Sequence, residues 1–148
     1  MVKMEHGFSL VELMIAIAIM SILMIMGAPL TRAWVANAHI AHAQNVLAEG
    51  YATARALSLK NPLGVKGDNE VASLTINGQL LSASYRDAYG TVNTVWQGNI
   101  DTDVTLVLTE SVCGDTLQLN NLGVALDSRC LAYKISSAGG RDESSTLQ

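Results

Sequence analysis

Between positions 8 and 30 the chain reads FSLVELMIAIAIMSILMIMGAPL, an apolar run broken by a single charge, Glu12. Its 23 residues, wound as an α-helix at 1.5 Å per residue, reach roughly 34 Å. That is enough to cross a hydrocarbon core of about 30 Å, so hydropathy predicts a membrane helix. Lys3 and the initiator amine precede it and Arg32 follows it. The bias toward a cytoplasmic N-terminus is therefore weak.

Glu12 is the informative residue of the run. An acidic group at a bilayer's apolar level costs roughly 2.5–3.5 kcal/mol, and less near the interface. A plain anchor has no reason to carry one, so the carboxylate implies a partner. If the chain is cut between Gly7 and Phe8, a new α-amine appears four residues ahead of Glu12. That amine could pair with the Glu12 of a neighbouring subunit when two such helices pack, and the pairing would set their axial offset. A conventional secretory signal would instead be cut after the apolar stretch at a small-x-small site. The candidate there is Met26-Gly27-Ala28 before Pro29, and Met26 is too large for its place.

The remainder reads as one domain of ordinary size. Charged residues make up only 15% of the 148-residue chain, against about 25% in a typical soluble domain, chiefly because the first thirty residues are almost free of charge. Gly27 and Pro29 are expected to break or loosen the helix, since proline removes a backbone donor. The helical pattern then resumes. Ile40, Ala43, Leu47, Tyr51, Ala54 and Leu57 recur every three or four residues as one apolar stripe, with Asn45, Glu49 and Thr53 off it. Pro62 predicts a helix end near Lys60-Asn61.

From about residue 71 the period changes. Residues 71–76 and 79–85 around Asn77-Gly78 read as a β-hairpin with a type I′ turn. Residues 91–97, 104–109, 116–120, 124–126 and 131–135 are further strand candidates, and residues 136–148 read as a polar tail expected to fray. One helix followed by strands implies an α+β unit, a long helix packed on an antiparallel sheet. Cys113 and Cys130 fit one structural disulfide if the domain is exported, and two unpaired buried thiols otherwise.

Gly7-Phe8-Ser9-Leu10-Val11-Glu12-Leu13 resembles the prepilin signature, G-F-[ST]-L-[IV]-E-[LV]. The short leader resembles the type IVa class, although Glu5 offsets Lys3 and leaves it barely basic. The resemblance implies the type IV pilin fold. It divides the chain into a cleaved leader (residues 1–7), a transmembrane and assembly helix (8–30) and a globular domain (31–148) that is helical to about residue 61. It also implies a prepilin peptidase that cuts after Gly7, N-methylation of Phe8, and Glu12 as the assembly residue. A proline at the place of Pro29 is usual in pilins. The implied partners are other major and minor pilins. The implied location is the bacterial inner membrane as a single-pass protein, then a periplasmic or extracellular filament.

Residues 36–61, with Asn45, Leu47, Ala54-Arg55 and Asn61, are similar to the helix of the GspH/FimT/FimU group. Leu117-Gln118-Leu119, Gly123 and Gly140-Arg141 resemble its terminal strands. The group implies a minor pilin that helps initiate pilus assembly near the filament tip, in twitching motility, adhesion or DNA uptake. Alternatives are a minor pseudopilin of a type II secretion system and an adhesive or DNA-binding tip pilin. The DNA-binding members carry G-R-x-R, whereas here the motif reads Gly140-Arg141-Asp142-Glu143. Residues 31–148 hold eight Lys/Arg against eleven Asp/Glu, so DNA is not an expected partner.

Other signals point away from catalysis. His39 and His42 lie three apart on the helix, but no third ligand lies near them in sequence, so a surface face is expected and no metal site. Trp34 and Trp96 are expected as core or interface anchors. No nucleophile, base and orienter can be assembled, and no cofactor motif is present. The expectation is a chain that is an enzyme's substrate and not itself an enzyme.

Overall fold

The computed structural model describes residues 8–148, except for the side chains of residues 26–30. Residues 1–7, and with them the leader and Gly7, lie outside the described residues. One helix, α1, runs Leu10–Lys60, 51 residues or roughly 77 Å. Ser9 is its N-cap, in an extended conformation. The helix assignment passes through Gly27 and Pro29 without interruption, so the break expected there does not end the element. Its C-terminus falls at Lys60, as Pro62 requires. Asn61 takes the left-handed conformation with φ 42°, and its N–H closes onto the carbonyls of Leu57 and Ser58. The Asn61 side chain also exchanges two hydrogen bonds with the Val65 backbone, each 2.8 Å. An asparagine tolerates this backbone better than most residues, and here its amide also shapes the loop.

Seven strands follow: β1 Ala72–Asn77, β2 Leu80–Arg86, β3 Val92–Asn99, β4 Val104–Leu108, β5 Thr116–Leu119, β6 Ala132–Ser137 and β7 Glu143–Thr146. They form two antiparallel sheets, not the single sheet expected: β3-β2-β1-β5 and β4-β6-β7. The α+β class stands. All six residues of the predicted stripe are buried, and all but Leu57 join the core formed with the sheets. Leu74, Ile76, Leu81, Leu117 and Leu119 meet them from the first sheet, and Val104, Leu106, Leu108 and Ile135 from the second. The period-2 alternation of these strands turns their apolar residues to one face. The other face of the first sheet carries two rows of uncharged polar residues, Thr94-Ser84-Ser73-Gln118 and Gln97-Ser82-Thr75-Thr116. At the edge, the register skips Val95 between Trp96 and Thr94, a bulge that spoils β3 as a template for another strand.

Trp96 docks sheet to helix. A Cβ at Gly50 would meet its ring at 2.7 Å, and one at Gly98 would meet it at 2.5 Å. The two glycines thus form the slot that takes the indole. Its N–H donates to Glu49 at 3.1 Å. Trp34, by contrast, is 73% exposed.

Three local expectations are corrected. The first hairpin turns on Gly78-Gln79, because Asn77 pairs with Leu80. Gly78 has φ 60° and Gln79 does not share the positive sign, which makes a II′-type turn and not I′. Residues 124–126 form no strand; a single bridge joins Leu119 to Ala125. There Asn120 organises the turn, its side-chain Oδ1 accepting the N–H groups of Leu122 and Val124. The tail does not fray: β7 pairs with β6 and Leu147 is buried. Cys113 and Cys130 are joined in a disulfide that encloses this turn.

Candidate functional site

The first site is the start of α1. Phe8 is 89% exposed. Four residues on, the Glu12 carboxylate accepts the backbone N–H of Ser9 at 2.9 Å. This is the reciprocal half of a capping box, in which an acid at the third helical position satisfies the donor at the N-cap. The local field of a helix N-terminus also favours a negative charge there. The carboxylate is thus held at the helix end, beside the position that a cut after Gly7 would convert to an amine. The apolar residues from Leu10 to Ile25 are exposed on every side of the helix. Among the described residues no helix is long and apolar enough to cross a membrane. The span expected over residues 8–30 extends past them, since its last five positions lie beyond the described side chains.

A second cluster sits where α1 meets the body, and the sequence reading missed it. His39 Nδ1 lies 2.8 Å from Asp103 Oδ1, and His42 Nδ1 lies 3.0 Å from Asp101 Oδ2. The Ser137 hydroxyl donates to Asp103 Oδ2 at 2.9 Å, which ties β6 to the same carboxylate. That hydroxyl, more than His39, holds the Asp103 carboxyl below the ordinary aspartate range, against a partial loss of hydration. The signals in the sequence were two histidines three apart on one helix face and two aspartates two apart in one loop. Nothing local says that these two pairs meet across some sixty residues.

The Gly140-Arg141-Asp142-Glu143 segment packs on α1. A Cβ on Gly140 would meet Ile40 at 2.9 Å and Ala36 at 3.2 Å. The Arg141 backbone N–H donates to Asn37 Oδ1 at 2.9 Å. Asp142 pairs with Lys134 at 2.7 Å. Among the described residues no group of three or more His, Cys, Asp or Glu is placed to hold a metal ion.

Comparison with known proteins adds one finding. Residues 2–28 match the family model described as the prokaryotic N-terminal methylation motif. The match covers the glycine-phenylalanine junction and the apolar run as far as Ala28, and it indicates a type IV prepilin-like protein. Such a motif implies, in general terms, processing by a prepilin peptidase and assembly with other pilins. The helix packed on antiparallel sheets is consistent with a pilin fold. No curated protein and no solved structure matches the chain.

Proposed function

We propose that this chain is a minor type IV pilin, a structural subunit that helps initiate pilus assembly near the filament tip. Before assembly, residues 8–30 hold it in the bacterial inner membrane. The prepilin peptidase cuts after Gly7, and the new Phe8 amine is methylated. The observation that carries this reading is the exposed apolar half of α1 with one acid at its tip, inside the matched methylation motif. Contiguous apolar surface of this extent marks a membrane or protein interface.

Glu12 gives the assembly step its chemistry. In the single chain its carboxylate caps its own helix through the Ser9 N–H. A neighbour's α-amine offers the same carboxylate a full positive charge where the Ser9 N–H offers only a dipole, and that attraction grows away from water. Exchange of the cap for the amine would fix the register between adjacent helices.

Intact mass of the mature protein tests the reading: it should begin at Phe8 and carry one extra methyl group. An N-terminus near Pro29 would identify a secreted domain instead. Glu12→Ala should leave cleavage intact and abolish incorporation into filaments. The alternative, a minor pseudopilin of a type II secretion system, uses the same N-terminal chemistry. It is distinguished by which filament the mature subunit co-purifies with.

A further inference from the structure

We infer that the groove between α1 and the free edge of β7 takes an extended peptide segment of a partner protein, added as a strand to β7 with an acidic side chain turned onto Arg55. Two independent observations carry this, an open sheet edge and a set of polar groups left without partners.

β7 ends the second sheet, with β6 as its one neighbour. The Leu147 N–H donates to the Leu131 carbonyl at 3.0 Å, toward β6. Direction alternates along an antiparallel ladder, so the N–H and C=O groups of Ser144 and Thr146 point the other way. Among the described residues nothing meets them. The other sheet ends are managed within the chain. β3 is bulged, and β5 is covered where Ala125 bridges to Leu119 and the Leu126 N–H donates to Gln118. β4 runs beside the end of the β1–β2 hairpin. Unpaired backbone groups of this kind select an extended chain, which supplies donors and acceptors at their own spacing.

The groove has a volume of about 440 Å³. Ala48, Ala52, Ala56 and Leu59 wall it on the helix side, Thr146 and Leu147 on the sheet side. Tyr51 is 8% exposed, and its hydroxyl bonds to no other described residue. Among the described residues no fully buried side-chain polar atom lacks a partner, so this hydroxyl opens to solvent, and the groove is the opening its ring lines. Tyr133 also lines the groove with its hydroxyl unpaired. Arg55 is the only charged side chain on the wall, and it makes no ion pair or hydrogen bond with the described residues. Its stem packs on the turn at Gly123, where an added Cβ would meet Arg55 Cγ at 2.9 Å. The guanidinium is thus placed before any ligand arrives, which lowers the cost of ordering it.

A guanidinium and two hydroxyl donors beside an apolar wall complement a carboxylate. Side chains at 143, 145 and 147 share one face of β7, and Leu147 turns that face to the groove. On an added antiparallel strand the residue opposite Leu147 projects to the same side. That is the place of the acid. The inference does not rest on the pilin reading and holds for the folded chain by itself.

The test uses the isotope-labelled full chain in detergent micelles. The probe is a blocked pentapeptide, valine-threonine-glutamate-threonine-valine, added to about 5 mM. The amide signals of Ser144 and Thr146 should shift and gain protection from exchange, together with the Arg55 side-chain N–H signals. The same peptide with glutamine in place of glutamate should bind on the order of tenfold more weakly, as expected for loss of a hydrogen bond to a charged group. Arg55→Gln should erase that difference. Thr146→Pro removes an outward N–H without touching the ladder to β6, and it should abolish binding of both peptides. If that variant does not fold, Arg55→Gln carries the test. No shift at Ser144 and Thr146, equal binding of the two peptides, or full binding by Thr146→Pro overturns the inference. So does acetate that moves the Arg55 signals as the glutamate peptide does, which would make the groove a site for a free carboxylate. Shifts at Ser144 and Thr146 that grow with protein concentration alone would assign the groove to a second copy of the chain and overturn it equally.

Discussion

Residues 10–25 and residues 36–57 belong to one helix, yet they settle their apolar surface in opposite ways. In the second stretch the apolar residues fall on one stripe, and two sheets cover it: Ala43 and Leu47 are 0% and 1% exposed. In the first they ring the helix, and Leu10 and Ile25 are 76% and 75% exposed. Their helix-forming tendency does not separate the two. The distribution around the axis does, because a stripe can be satisfied by one domain whereas a ring needs surroundings on all sides. The folding of the body and the burial of the first stretch are therefore separate problems, the first internal to the chain and the second external to it.

The comparison can be broken by truncating one side chain in each stretch. Leu47→Ala opens a cavity among packed side chains and should cost about 2–5 kcal/mol of stability. Ile17→Ala should change the same quantity by less than about 0.5 kcal/mol. Urea unfolding of the full chain in detergent reads both. Equal losses would mean that the first stretch is held by the body after all. Next in size is the disulfide. Cys113→Ser with Cys130→Ser removes a link spanning 17 positions and should cost about 3 kcal/mol in the same assay, with no loss of helix over residues 10–25. Smaller again is Gly50→Ala, which adds a methyl where the Trp96 ring lies. Overpacking of that kind costs about 1–3 kcal/mol, offset by roughly 1 kcal/mol of helix propensity. Ala18→Val, a larger addition in the first stretch, should leave the body's Tm unchanged. If Gly50→Ala raises Tm instead, the slot around Trp96 yields more easily than its contacts imply.

The same contrast explains what the sequence could reveal. The stripe from Ile40 to Leu57 was legible because each residue's position on a helix follows from its number alone. The end of α1 was legible for a similar reason, since Pro62 acts on its immediate neighbour. The division into two sheets was not, because no local pattern tells β4 to pair with β6 and not with β3. The strand at Glu143–Thr146 was invisible because its residues are polar, and it is held by register with β6. The hairpin turn was missed by one residue, since Asn77-Gly78 and Gly78-Gln79 both offer a glycine and only pairing decides between them. The proposed cleavage junction and Glu12 stand out through a fixed order of residue types. The His–Asp pairs at the helix–body junction depend on tertiary contact, and no sequence spacing encodes it.

The smallest predicted effect concerns a place remote from both stretches, the turn at residues 87–91. The Asp87 carboxylate accepts the N–H groups of Tyr89 at 2.9 Å and Thr91 at 2.8 Å, with the Asn93 amide at 3.3 Å. The Thr91 N–H above all holds the Asp87 carboxyl below the ordinary aspartate value. A depressed carboxyl contributes stability above the pKa of the unfolded chain and loses it as pH falls through the folded value. The turn should therefore be intact from neutral pH down to about pH 4 and loosen below that. Asp87→Asn should show the loosened state already at pH 7, because a neutral amide is a weaker acceptor. The amide shifts and exchange rates of Tyr89 and Thr91 report it. The group is exposed, so the loss should stay within the turn and leave the docking of residues 36–57 unchanged. If acid below pH 4 instead releases those residues while Tyr89 and Thr91 stay protected, the carboxylates that matter are those at the helix–body junction, and the body's hold on α1 is more electrostatic than its buried stripe implies.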